Sequence, residues 1–223
     1  IRFIPGVVPA IYWLIQMWTQ KEESVLIMPP VYYPFFNSIK ETGRQLVECP
    51  LLKEDEHYKM DIELFENKIL TENVKVFILC SPHNPVGRVW TKKELQAVLD
   101  ICKKYGVYVI ADEIHQDIIM SGYEKVTAAT CGNYDEYLIT LTSASKSFNI
   151  AGFQCAYAII PNDKMREDYD RLAKKLHFTE GNSFSYIATQ AVYEHGRPWL
   201  ESVCNIVESN YYYLKNELKK VMP

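Results

Sequence analysis

The sequence predicts an α/β protein with a mostly parallel, doubly wound central sheet and helices on both faces. Three observations carry this prediction. Short β-rich runs alternate with amphipathic helical segments, the order that builds β-α-β crossovers. Three of the runs, VKVFILC (74–80) among them, are almost continuously apolar, as strands buried on both faces are. One helical segment between two such runs carries its own start and stop signals.

In chain order, a helix is expected over 9–19, behind the turn PGVVPA (5–10). Strands follow over 25–28 and 45–49, a helix over 62–69 and a strand over 74–80. The next helix is the best specified. Thr91 and Glu94 have capping-box spacing, and Leu95, Val98, Leu99 and Cys102 share one face. Lys103 and Lys104 suit its C-terminal end, and Gly106 stops it. Strands over 107–111, 137–142 and 155–160 complete the sheet. Helices over 163–176, 185–195 and 199–220 close the chain. Leu200, Val203, Val207, Leu214 and Leu218 line the last of these, which has no partner element after it. There is no internal repeat and no low-complexity linker.

Composition removes several function classes. The 223 residues are 48% hydrophobic and 23% charged, enough apolar content for a real core. With 24 basic and 28 acidic residues the net charge is −4, so no basic excess points to nucleic acid. The Lys103–Lys104, Lys174–Lys175 and Lys219–Lys220 pairs read as solvated faces. Six widely spaced cysteines without a C-x-x-C pair read as reduced thiols of a cytoplasmic protein. No apolar run reaches the roughly 18 residues of a membrane span. No leader is expected. The start at Ile1, within a strand end, suggests a piece of a longer chain.

In a sheet of this type ligands bind where loops leave the carboxyl ends of the strands. Four such ends carry unusual residues. Strand 25–28 leads to Tyr32 and Tyr33, strand 74–80 to Asn84, strand 107–111 to Asp112 and His115, and strand 137–142 to Ser143, Ser145 and Lys146. Each has a plain structural reading: a loop lysine, a turn-capping aspartate, an Asn-Pro turn, packing tyrosines. Val7 and Val8 lie in a turn leading into a helix, and helix N-termini bind phosphate.

Two rival chemistries compete for these residues. Ser143 and Lys146 match the Ser-x-x-Lys of penicillin-binding proteins and class A β-lactamases, but the S-D-N and K-T-G elements are missing. Glu113, His115 and Asp117 would share a face in a continued strand, yet no second histidine stands at ligand spacing for a metal. Pyridoxal phosphate chemistry uses all four strand ends. It needs a lysine for a Schiff base, a carboxylate at the pyridine nitrogen, a donor at the ring hydroxyl, a stacking aromatic, and a helix N-terminus with hydroxyls for the phosphate.

Five stretches occur in an order that resembles fold-type I pyridoxal-phosphate enzymes of the class I/II aminotransferase superfamily. They are PGVVPA (5–10), PVYYPF (30–35), PHNPVGRVW (82–90), ADEIH (111–115) and SKSFNIAG (145–152). Within that superfamily they are similar to the MalY–PatB branch of cystathionine and cysteine-S-conjugate β-lyases. The resemblance implies that Lys146 is the Schiff-base lysine and also the catalytic base. It implies that Asp112 pairs with the pyridinium nitrogen, Asn84 and His115 face the ring hydroxyl, and Tyr32 stacks on the ring. Val7, Val8, Ser143 and Ser145 would hold the phosphate.

The same resemblance implies pyridoxal 5'-phosphate as cofactor, an amino-acid substrate and a homodimer. Residues 1–198 would be the large cofactor domain, lacking its N-terminal segment. Residues 199–223 would begin a helix toward a small C-terminal domain that carries the arginine for the substrate carboxylate. The expected reaction is β-elimination of a thiol, giving pyruvate and ammonia. The alternatives are an aminotransferase, or a cofactor-binding or regulatory piece without turnover. One position departs from the pattern: Gln154 stands where many superfamily members carry an arginine near the phosphate.

Overall fold

The computed structural model describes residues 1–55 and 57–222. Nine strands and eight α-helices follow one another as β1 (Arg2–Ile4), α1 (Val7–Trp18), β2 (Ser24–Ile27), α2 (Pro34–Glu41), β3 (Gln45–Glu48), β4 (Leu52–Glu54), β5 (His57–Lys59), α3 (Ile62–Thr71), β6 (Val74–Cys80), α4 (Lys92–Tyr105), β7 (Tyr108–Asp112), β8 (Leu138–Thr142), α5 (Ala144–Ser147), β9 (Ala156–Ile159), α6 (Asp163–Lys175), α7 (Ser183–His195) and α8 (Arg197–Val221), counted among the described residues.

Seven strands form one sheet in the order β1-β9-β8-β7-β6-β2-β3. The five from β3 to β8 in that order are mutually parallel. The sixth expected strand, β9, joins β8 antiparallel, and β1 pairs antiparallel with β9. The short path from β8 through α5 to β9 leaves no room for a crossover helix, so the chain doubles back. The remaining strands, β4 and β5, pair antiparallel apart from this sheet, and their own residues are mostly exposed.

Strand alternation divides the core between the two faces of the sheet. Leu26, Phe77, Leu79 and Val109 meet Phe65 of α3 and Leu95, Val98 and Leu99 of α4 on one face. Val25, Ile27, Ile78, Ile110 and Leu141 meet Ile11 and Leu14 of α1, Phe35 of α2 and Tyr169 of α6 on the other. Each fully buried side chain of this size stabilises the fold by about 1.5–3 kcal/mol. This is the doubly wound arrangement, with helices on both faces.

Helix α4 ends as its sequence requires. The Thr91 Oγ1 accepts the Glu94 N–H at 3.3 Å, and the Glu94 carboxylate accepts the Thr91 N–H at 2.8 Å. Gly106 closes the helix at φ 67°, a left-handed conformation that costs any side-chain-bearing residue about 1–2 kcal/mol. In contrast, α8 buries none of its 25 residues, and Ile206, Tyr213 and Leu214 are more than half exposed.

Candidate active site

Lys146 stands on α5, a single helical turn directly after β8, where the sequence predicts only a strand end. The serines around it explain why the turn forms. Ser143 Oγ caps it by accepting the Ser145 N–H at 3.0 Å, and donates its own proton to the Cys155 carbonyl at 2.6 Å. Ser147, fully buried, donates to Asp117 at 2.9 Å. The turn is thus fastened to the neighbouring strand on one side and to the 113–125 loop on the other, while Lys146 between them stays exposed.

Asp112 is the last residue of β7 and is buried. Its carboxylate accepts the Ile114 N–H at 3.1 Å, and its carbonyl accepts the Ser81 N–H at 3.0 Å, locking the ends of β7 and β6 together. Burial pushes the Asp112 carboxyl up to about 7, against the Ile114 N–H and the Lys146 charge, which both lower it. Burial, with the Lys146 charge, holds His115 below its ordinary value and favours the uncharged imidazole.

Asn84 follows β6 within a tightly folded loop. Its N–H reaches Cys80 Sγ at 3.4 Å, and the buried Trp90 indole donates to the Cys80 carbonyl at 3.0 Å. Tyr32, after β2, packs edge-on against Phe35 with centroids 5.9 Å apart. Gly6 precedes α1, and no acidic side chain occupies that helix's first turn. The first-turn N–H groups of Val7 and Val8 therefore have no intrahelical acceptor.

These pieces meet in one cavity of about 290 Å³. The nine residues that the resemblance assigns to the cofactor line it: Val7, Val8, Tyr32, Asn84, Asp112, His115, Ser143, Ser145 and Lys146; Tyr33 does not. Gln154 lines it as well, at φ 49°. Outside the five quoted stretches, sequence reasoning missed Cys80, Cys155 and Ala156. The first of these had a signal: Cys80 shares the period-2 face of Val76 and Ile78 and ends the strand that delivers Asn84. The Ser143 hydroxyl is already engaged by Cys155, so what it offers the cavity is a fixed turn rather than a free donor.

The metal reading is not supported by the arrangement. Glu113 turns away to accept the Ala128 N–H at 2.7 Å, and Asp117 pairs with Lys125 at 2.9 Å. Among the described residues no cluster of three or more ligating side chains exists.

Asp112 and the buried Glu113, also raised by burial to about 7, make stability depend on pH. In the unfolded chain both titrate at about 4, so between about 4 and 7 the folded chain holds more protons. Their contribution is fully present below about pH 4 and is lost as pH rises through 7. For Asp112 this loss amounts to about 4 kcal/mol at most. The urea midpoint of Asp112→Asn is expected to change less between about pH 5 and pH 8 than that of the unsubstituted chain. Parallel pH profiles would contradict the assignment.

Comparison with known proteins supplies the context. The family model described as "Aminotransferase class I and II" matches residues 1–222. Cystathionine beta-lyase PatB of Bacillus subtilis is 35% identical over 226 residues, covering 99% of this chain and 58% of PatB. Among solved structures, cystalysin from Treponema denticola, whose crystals contain pyridoxal 5'-phosphate, aligns with a TM-score of 0.94 at 36% identity, over 97% of this chain and 55% of its own. The PLP-bound C–S lyase from Staphylococcus hominis aligns with a TM-score of 0.93 at 36% identity, over 98% and 55%. The chain thus spans somewhat more than half the length of the proteins it matches. Among the described residues no helix is long and apolar enough to cross a membrane.

Proposed function

Because the chain belongs to the class I and II aminotransferase family, we propose that its strand-end cavity holds pyridoxal 5'-phosphate and serves carbon–sulfur β-elimination. The substrates would be cystathionine or cysteine S-conjugates, and the products a thiol, pyruvate and ammonia. The observation that carries this reading is the convergence of an exposed amine, Lys146, with a buried carboxylate, Asp112, in one cavity beside a helix N-terminus. Relatives favour elimination over transamination, since PatB is a cystathionine β-lyase and the aligned Staphylococcus hominis structure a C–S lyase.

The donor set fits the cofactor. A carboxylate as buried as Asp112 is kept ionised by a cationic nitrogen beside it, and a pyridinium supplies one. Asn84 and His115 offer hydrogen bonds to a ring hydroxyl, and Tyr32 offers a ring face. The N–H groups of Val7 and Val8 at the positive end of α1 suit a phosphate, with Ser145 beside them. When bound, pyridoxal phosphate supplies an electron sink for charge developing at the substrate Cα.

The chain's own residues do the rest. Lys146 Nζ would hold the cofactor aldehyde, and the same amine would serve as general base for the substrate Cα proton. The pinning of α5 by Ser143 and Ser147 holds that amine in place through both roles. Asp112 keeps the proton on the ring nitrogen. At the position where many superfamily members have arginine, Gln154 brings an uncharged amide, so the phosphate depends more on backbone N–H groups.

In this reading residues 1–198 are the cofactor domain, and 199–223, which begin inside α8, lead toward a substrate-binding domain. The exposed apolar side chains of α8 fit that role. A homodimer and a cytoplasmic setting are part of the same proposal; the six free cysteines agree with the latter.

With pyridoxal phosphate and cystathionine, thiol and pyruvate are expected to appear together without any added keto acid. Keto acid formed only when an acceptor keto acid is present, with no thiol, would replace elimination by transamination.

A further inference from the structure

We infer that His83 is a positioning residue that fastens the loop carrying Tyr32 to the loop carrying Asn84. The inference rests on the proposed reading of that cavity only for its functional meaning. His83 itself does not line the cavity; it is buried behind it, with 1% of its surface exposed.

Its Nε2 lies 3.0 Å from the Pro30 carbonyl, two residues before Tyr32. A carbonyl only accepts, so Nε2 carries the proton and Nδ1 is bare. No hydrogen-bond partner for that Nδ1 occurs among the described residues. Burial holds the imidazole down to about 4, against the Pro30, Met28 and Cys80 backbone groups that raise it, so the ring is neutral across the neutral range.

The other side of His83 is equally fixed. Its N–H donates to the Arg88 carbonyl at 2.7 Å, and its carbonyl accepts the Gly87 N–H at 2.8 Å. Its ring stands edge-on to Trp90, with centroids 5.3 Å apart. The Arg88 guanidinium covers the same indole at 4.8 Å and pairs with Glu94, the capping-box residue of α4. Helix α4, the Asn84 loop and the Tyr32 loop are thereby joined in series, and the ring hydrogen bond of His83 is the link between the two loops.

Substitution separates the bond from the packing. His83→Phe keeps a ring against Trp90 and removes the donor. His83→Gln places an amide N–H near the position of Nε2. Without added pyridoxal phosphate, amide exchange over residues 30–36 is expected to be about tenfold faster in His83→Phe, with α4 unchanged, and restored to within about threefold in His83→Gln. Phe behaving like the unsubstituted chain, or Gln behaving like Phe, would overturn the inference. If His83→Phe does not fold, nitrogen NMR of unsubstituted His83 decides. The Nε2-protonated form supports the link, and the Nδ1-protonated form overturns it. Exchange measured on the unloaded chain does not depend on cofactor binding. Failure to bind pyridoxal phosphate would therefore sink the proposed function and leave this result standing.

Discussion

Replacing Lys146 with alanine is expected to abolish covalent attachment of pyridoxal phosphate and to lower thiol release by at least about 10²–10⁴-fold. That is the range for loss of a positioned general acid or base alone. The fold is expected to survive. Lys146 is exposed on a turn whose cap and anchors belong to Ser143 and Ser147, and alanine favours helix at least as well as lysine. Stability should therefore stay within about 0.5 kcal/mol of the unsubstituted chain, as for an ordinary surface substitution. Chemical denaturation checks the second expectation, and the visible absorbance of the loaded chain with thiol release checks the first. Alanine turning over at the original rate would remove Lys146 from the chemistry.

Asp112→Asn is expected to act with opposite signs on activity and stability. The amide has the carboxylate's shape and still accepts the Ile114 N–H, so the strand end is retained. It cannot hold a proton on the ring nitrogen by charge, and turnover is expected to fall by about 10²–10³-fold, the usual cost of removing one preorganised electrostatic partner. At about pH 8, where the unsubstituted chain carries a buried carboxylate with one backbone donor, the asparagine chain should be the more stable of the two. A residue needed only for folding would lose both together. Denaturation and thiol release measured on the same preparation distinguish the cases, and a variant that is less stable and equally active would contradict the role.

Much of the molecule was legible in the sequence because its signals are local. The runs at 25–28 and 74–80 are buried on both faces, and their β-branched, continuous apolar character needs no tertiary knowledge. Thr91, Glu94 and Gly106 delimit α4 through bonds that lie within a few residues of each other. The carboxyl-end rule then collected the cavity residues, since a parallel sheet points its loops to one rim.

What escaped depends on distance or on weak patterning. Strand β1 was legible only as a strand end at Ile1; its place at the sheet edge comes from pairing with β9, more than 150 positions away. The antiparallel course of β9 follows from the tight path through α5, which apolar content does not encode. Helix α2 begins at Pro34 after two tyrosines and two further prolines, so the stretch reads as loop, although Phe35, Ser38 and Ile39 are buried at helical spacing. The pair of β4 and β5 carries mostly exposed residues and no periodic signal. His83 was invisible for another reason: its partner is a carbonyl 53 residues earlier, and carbonyls leave no mark in a sequence.

The convergence of four strand ends turns a serine-flanked lysine into a proposed cofactor anchor. Reductive fixation tests it most directly. The chain is loaded with one equivalent of pyridoxal phosphate, treated with borohydride, digested and mapped by mass spectrometry. One phosphopyridoxyl group is expected, on the peptide containing Lys146, and none there in Lys146→Ala. Label spread over surface lysines such as Lys103 or Lys174, with Lys146 unmodified, would contradict it.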